Sequence, residues 1–491
     1  MSTTGNRPEP TGLGSGLWAG VARADITDYK AGPVRDPLYA KALVLREAAT
    51  TVVIITVDAV AVAEIGHIRN DYMGTVRAAL RSDPGIEPEA VLINASHCHG
   101  VVGADVAQRT VKAVREACQS LVPVLVGAGV GHEDRIMENR RLRLRNGREA
   151  DVRHAYSLPA DAEVAEVGPV DPQIGVLRLN RLDGRTLAVV YNFACHPIQG
   201  VPCGGNTADI TGFASRVIED GLDEGATALF LQGCAGDINP VRYKDVDHPR
   251  DAEPLGNLLG LSTLQAVRQI QCRDSGGLKL LREVVELPRA DLAPGIADRQ
   301  AEQARLLQAL RGTSLNLKTF LALTAKYCLS PEFPSYSSHR YLHDRALGRR
   351  DLERLDALNR KNLEQYAANI YTMEELTRVQ ANLDLLKLHH AQNLAAGSGT
   401  LAVEVLGLRV GDFVLITFPG ELSVEIGMKL KNASPHELTF VAGYTNGYIY
   451  YAPTAEQLQN RGHAQEDSDC LLAPEWQSLF EAEADALLAA L

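Results

Sequence analysis

An α/β fold is what this 491-residue chain predicts: a mixed, mostly parallel sheet flanked by helices, with a helical insertion before the last strands. Three observations carry the prediction. From Leu17 to about Gln271, short apolar runs alternate with amphipathic stretches, and runs such as TVVIITVDAV and TLAVVYNFA suit strands covered on both faces. Near Ala290 the composition shifts to Ala, Leu, Gln, Glu and Arg. Strand-like text then returns with LAVEVLGLRVGDFVLITFPGEL and LTFVAGYTNGYIYYAP.

Residues 1–16, rich in Thr, Gly and Pro, read as a disordered tail. The α/β core spans 17–290 and 398–491. Its clearest strands are TVVIITVDAV, AVLINAS, TLAVVYNFA and ATALFLQG. Between them, RNDYMGTVRAALRS and DVAQRTVKAVREACQSL have helical periodicity, the second starting at a capping Asp105. Residues 291–397 form the insertion, in which ADRQAEQARLLQALRG and MEELTRVQANLDLLKLHHAQNLA read as helices around an aromatic loop at 333–343. No heptad is sustained, so a coiled coil is not expected. The insertion is a candidate lid or pocket wall.

Bulk properties exclude several classes. A net charge of −12 argues against nucleic acid or an anionic membrane surface as a partner, and no run approaches the roughly 18 apolar residues of a membrane span. No basic segment leads into an apolar one at the start, and the eight cysteines are scattered without a C-x-x-C pair. Reduced thiols in a cytoplasmic protein are therefore expected. The oligomeric state is not legible.

Chemistry concentrates where strands stop. AVLINAS runs into His97, Cys98 and His99; TLAVVYNFA into Cys195 and His196; ATALFLQG into Asp237 and Asn239. DFVLITF runs into Glu421, and LTFVAG into Tyr444, Asn446, Tyr448, Tyr450 and Tyr451. Ligand sites of α/β sheets form beyond the carboxyl ends of strands, and two or three His with a carboxylate suit a catalytic metal. Blander readings stand beside this one. Glu421 could simply start a helix, and the tyrosines could be strand packing. Cys98 and Cys195 read as buried inert thiols, since sequence neighbours on a strand point to opposite faces. His339 and His343 read as surface residues, and His389 and His390 carry no assignment.

In order along the chain, AGVARADIT, SHCHG, ENRR, VDPQIGVLRL, NFACHP, FLQGCAGDINP, FPGEL and GYTNGYIYYAPT resemble the neutral/alkaline ceramidase family of zinc amidohydrolases. The resemblance implies one zinc ion per chain, held by His97, His196, Glu421 and Tyr451. It ties His99, Arg140 and Asp237 to substrate binding or catalysis. Asn239 stands where the family's ceramide hydrolases carry serine, and the family's C-terminal immunoglobulin-like domain is not expected here. Both departures imply a substrate other than ceramide.

The reading that follows is a zinc-dependent hydrolase cleaving an N-acyl amide of a small soluble metabolite by metal-activated water. Tyr451 or Asn239 would support the oxyanion, His99 would protonate the leaving nitrogen, and Asp237 would orient a His or Arg140. An esterase or lactonase on the same metal site, or a non-hydrolytic metal-binding relative, is the alternative. His, Glu and Tyr would also accept other divalent metals.

Overall fold

The computed structural model describes residues 16–152, 158–200, 206–222, 225–243, 245–248, 250–274, 277–334, 337–460 and 463–491. Almost all of the expected tail, Cys203, and Ser335 and Tyr336 of the aromatic loop lie outside these residues. Two sheets pack face to face. The larger has eight strands in the spatial order Thr227–Gln232, Thr186–Phe193, Gln173–Arg181, Val122–His132, Trp18–Asp25, Tyr39–Glu47, Thr50–Val57, Val91–Ala95. The smaller orders Leu278–Pro288, Thr400–Val410, Phe413–Thr417 and Thr439–Ala442.

Period-two patterning explains the layering. Leu43 and Leu45, Val52 and Ile54, and Phe413 and Leu415 point into the space between the sheets, where they meet Leu406, Leu408 and Phe440. Their alternates, Val44, Val53 and Ile55 on one sheet and Val414 and Ile416 on the other, are buried with helix residues such as Val76, Leu80, Trp476 and Phe480. Both faces of these strands are therefore covered, as their uninterrupted apolar runs require.

The α/β class, the mixed sheet and the insertion stand as expected, but the balance of strand direction is corrected. Five of the seven pairings in the large sheet are antiparallel and two are parallel. An apolar run reports burial on two faces, not direction. Tight connections such as Asp183–Gly184 and Gly411–Asp412 force their flanking strands to be antiparallel.

The parallel pairs are the ones that matter for function. Each is built by a strand, a helix and a strand: Thr50–Val57, Tyr72–Ser82, Val91–Ala95; then Thr186–Phe193, Asp209–Asp220, Thr227–Gln232; then Phe413–Thr417, Val424–Ala433, Thr439–Ala442. His97 follows the first unit, His196 follows the first strand of the second, and Glu421 follows the first strand of the third. Three crossovers thus aim their carboxyl ends at one place.

The insertion is helical: Ala293–Ala309, Leu317–Leu329, His339–Ala346 and Asp351–Ala396. The last has 46 residues, a rod of about 69 Å at 1.5 Å per residue. Gly397 closes it in the left-handed conformation (φ +63°). Its buried residues, Val379, Asn382, Leu383, Leu386 and His389, all lie in its C-terminal half. Farther out, Phe320 stacks on Tyr366 at 4.5 Å, and the Tyr327 and Tyr341 hydroxyls both donate to Asp356.

Candidate metal centre

Three buried side chains converge where the crossovers end. Ligand atoms of His97, His196 and Glu421 all lie within 4.8 Å of one another. His97 Nε2 is 3.6 Å from Glu421 Oε1, and His196 Nε2 is 3.1 Å from Glu421 Oε2. Each imidazole is fixed from behind: His97 Nδ1 donates to the Val60 carbonyl at 2.6 Å and His196 Nδ1 to the Ile238 carbonyl at 3.0 Å. A carbonyl only accepts, so both Nδ1 atoms carry the proton and both Nε2 atoms are turned to Glu421. Burial, against the pull of Glu421, lowers His97 to about 4, so that ring is neutral near pH 7. His97 thus offers a lone pair beside the carboxylate, and His196 Nε2 lies within hydrogen-bond distance of it, an arrangement in which a cation can take the place of a proton. The donor set and its tautomers fit a divalent metal with a position left for water.

Glu421 is held ionised. Burial opposes its charge, but the two histidines and a hydrogen bond from Tyr448 outweigh that and keep it well below the usual carboxylate range. Tyr448 Oη donates to Oε1 at 2.5 Å and Tyr444 Oη to Oε2 at 3.1 Å. Burial first, then the Glu421 charge, pushes both phenols well above their ordinary range, so both remain donors. These two hydroxyls are functional contacts that sequence reasoning left among the possible strand packing.

The loop carrying the tyrosines is stitched to the strand carrying His97. Asn446 Oδ1 accepts from the Ile93 N–H at 2.7 Å, and Asn94 Nδ2 donates to the Gly443 carbonyl at 2.8 Å. His97, Tyr444, Asn446 and Tyr450 all have φ between +54° and +66°. Left-handed conformations cost about 1 kcal/mol or more for such residues, and strain of this kind gathers at functional sites.

The other expected residues surround this centre. Arg140 is buried; Nη1 donates to Asn239 Oδ1 at 3.1 Å, Nη2 to Tyr451 Oη at 3.1 Å and to the Gly236 carbonyl, and Nε pairs with Glu466 at 2.6 Å. Tyr451 is the register partner of Glu421 in a short parallel pair, Glu421–Leu422 with Tyr451–Ala452. His99 is exposed at the edge, its ring 5.4 Å from that of His97. Asp237 is buried, and its backbone carbonyl accepts from the Arg140 N–H. Its carboxylate accepts from the Val424 N–H at 2.8 Å and from Asn139 at 3.0 Å, so it holds the start of the helix that follows Glu421. Burial, offset in part by the Val424 N–H, pushes it up to about 6.

His389 received no role from the sequence, yet it is fully buried. Nε2 is 2.7 Å from Asp469, Nδ1 is 2.8 Å from Gln392, and its ring lies 4.5 Å from that of Tyr450. Gln392 in turn donates to Tyr450 Oη at 2.9 Å, tying the long helix to the tyrosine loop. Only the chemical type of His389, on an otherwise ordinary helix, signalled this. Cys98 and Cys195 are free and buried, and burial holds both thiols well above their ordinary range, which leaves them inert.

Fold and site together define an α/β scaffold with a buried His–His–Glu group that could hold a metal ion. Among solved structures, the chain is similar to the neutral ceramidase from Pseudomonas aeruginosa (TM-score 0.59, 18% identity, covering 98% of this chain and 75% of that one). It is similar also to a ceramidase complexed with C2 (TM-score 0.60, 18% identity, 97% and 75%). The fold is that of neutral ceramidases. No protein-family model and no curated protein sequence matches the chain.

Proposed function

We propose that this protein is a divalent-metal-dependent hydrolase of an N-acyl amide, with one zinc ion per chain and His97, His196, Glu421 and Tyr451 as its ligands. The observation that carries the proposal is the convergence of two buried imidazoles, each fixed at Nδ1 by a backbone carbonyl, on one ionised carboxylate, with all ligand atoms within 4.8 Å of one another. Such an ion, when bound, supplies Lewis acidity and lowers the pKa of water towards about 7. The chain's own residues do the rest. Because Asn239 Oδ1 is engaged by Arg140, its amide N–H is left as the donor for an acyl oxygen. His99, open to solvent at the edge, delivers the proton that the leaving nitrogen needs. Arg140 fixes Tyr451 and Asn239 in one plane of its fork.

The amide is the bond to test first, because the neighbours in fold are ceramidases. We assign the acyl amide to a small metabolite other than ceramide, as Asn239 replaces the serine of the family pattern. A cytoplasmic setting fits the seven described cysteines, all free. The insertion's share of the pocket wall is assigned to its base, where Gln392 meets Tyr450; Tyr341, at the far end of the aromatic segment, bonds Asp356 about 50 Å along the helix.

Elemental analysis of protein purified without chelator is the test, followed by matched amide and ester forms of each acyl group with and without chelator. About one zinc per chain and chelator-sensitive amide cleavage support the proposal. Preference for the ester form moves the activity to an esterase. Absence of any bound transition metal, or metal binding unchanged by His97→Ala and Glu421→Ala, overturns it.

A further inference from the structure

The outer part of the helical insertion is basic in a chain that is acidic as a whole. Residues 310–361 contain ten Lys and Arg against five Asp and Glu, a net of +5, so the remainder of a chain of net −12 carries −17. The acids are mostly consumed inside the arm. Asp356 accepts from two tyrosines, Asp344 from the Asp351 N–H, and Glu353 pairs with Arg345 and Arg350. Lys318, Arg340, Arg349 and Lys361, in contrast, have no carboxylate within 4 Å among the described residues.

The same 52 residues hold seven of the twenty-one large apolar side chains that stand exposed among the described residues. Three lie on one helix, Leu317–Leu329, which docks on the long helix by Phe320 and Tyr327 and turns its other side outward. Leu317, Leu321, Ala325 and Cys328, at steps of four, four and three, form one exposed stripe, and Leu329 beside it is 87% exposed. Leu342 and Leu347 extend the apolar area onto the next helix and its end.

We infer that this arm is a docking surface for an anionic lipid bilayer, in which the Leu317–Leu329 stripe enters the interface and Lys318, Arg340, Arg349 and Lys361 meet the lipid headgroups. An apolar stripe in a segment that also carries unpaired cations is the composition of an interfacial surface, and neither component alone specifies that partner. Two arms docked face to face would bring two patches of +5 together, so the charge selects an anionic surface over a second arm. No helix among the described residues is long and apolar enough to cross a membrane, so the contact is peripheral. It lies on the order of 40–50 Å along the helix from His389, so it anchors the protein without covering the metal centre.

The full chain is tested by co-sedimentation with phosphatidylcholine vesicles, with and without phosphatidylserine, at low and high salt. Binding only to the anionic vesicles is expected, falling with salt and about fivefold for each of the four cations removed. Leu321→Glu with Leu329→Glu abolishes it, while circular dichroism is unchanged, because both side chains are exposed. A polarity-sensitive fluorophore on Cys328, which lies on the stripe, shifts to the blue as anionic vesicles are added and gives an independent reading in the otherwise native chain. Equal partitioning to neutral vesicles, no blue shift, or binding indifferent to both sets of substitutions overturns the inference. So does self-association in sedimentation velocity that Leu321→Glu disperses, which would assign the face to a second copy.

Discussion

Replacing Glu421 by Gln separates a metal centre from a merely polar core. In the chelated wild type the carboxylate accepts from Tyr448 and Tyr444, while the two imidazole Nε2 atoms lie 3.1 and 3.6 Å from it. A glutamine keeps an acceptor for Tyr448 and offers an N–H to a neutral imidazole. It also removes a buried charge that has no cation. Each of these changes is worth about 1–3 kcal/mol, so with chelator the variant is at least as stable as the wild type. Metal reverses the ranking of the gains. At a thousandfold excess over Kd, binding adds about 4 kcal/mol to the wild type. A variant bound about a hundredfold more weakly gains only about 1.4 kcal/mol at the same concentration. Denaturant midpoints of both proteins, in chelator and in zinc, measure all four states. A variant that is markedly weaker in chelator, yet stabilised by zinc as much as the wild type, would refute the reasoning, since Glu421 would then be a structural acceptor.

Gly236→Ala is expected to weaken metal binding about tenfold or more with the fold retained. An added Cβ there meets the Glu421 and Leu422 carbonyls at 2.6 and 2.9 Å, which displaces the Glu421 backbone; isothermal titration with zinc reads the effect. Arg140→Ala removes the 2.6 Å ion pair of the buried Glu466, with Arg141 farther off at 3.5 Å, and should cost about 3–5 kcal/mol in denaturant unfolding. Arg140→Lys should recover much of that stability without recovering kcat, because an ammonium cannot hold Asn239 and Tyr451 together; full activity in the lysine variant contradicts the positioning role. His389→Ala should lower stability by about 2–4 kcal/mol and hasten proteolysis at the base of the long helix, since it loses its bonds to Asp469 and Gln392 and leaves a void against Tyr450.

Much of this was legible because burial and chemistry write different signatures. Runs such as TVVIITV and TLAVVYNF can only be strands covered on both faces, and the polar residues at their ends then had to lie at a sheet edge. His97, His196 and Glu421 were among the candidates found that way, the family resemblance singled them out as ligands, and the structure brings them together. Strand direction was not legible, because period and hydrophobicity are the same for either sense; the loop lengths at 183–184 and 411–412 held that information. Tyr444 and Tyr448 could not be separated from packing tyrosines, since only their proximity to a buried carboxylate gives the hydroxyls a task. The contacts of Asp237 were likewise not legible, since a helix start with free N–H groups far along the chain takes one of its carboxylate oxygens.

The arrangement also explains why a long sequence separation is needed to build so small a site. A strand end delivers one side chain to an edge, and three ligands from three strand–helix–strand units reach one point only if the two sheets are locked in register. The bonds that lock them are those of Asn446 to Ile93, Asn94 to Gly443, and Asn192 to Val441, each crossing from one sheet to the other through a buried amide. Buried amides of this kind are satisfied in only one relative placement of the sheets, whereas the Leu, Val and Phe contacts between them tolerate small slides. Apolar packing therefore supplies most of the stability, and the three asparagines set the position of His97 relative to Glu421. On that account Asn94→Ala or Asn446→Ala should loosen metal binding more than Leu43→Ala does, even where the leucine variant is the less stable protein. Zinc titration beside denaturant unfolding of the three variants decides the point, and equal ranking in both measurements would show that the amides act only through stability.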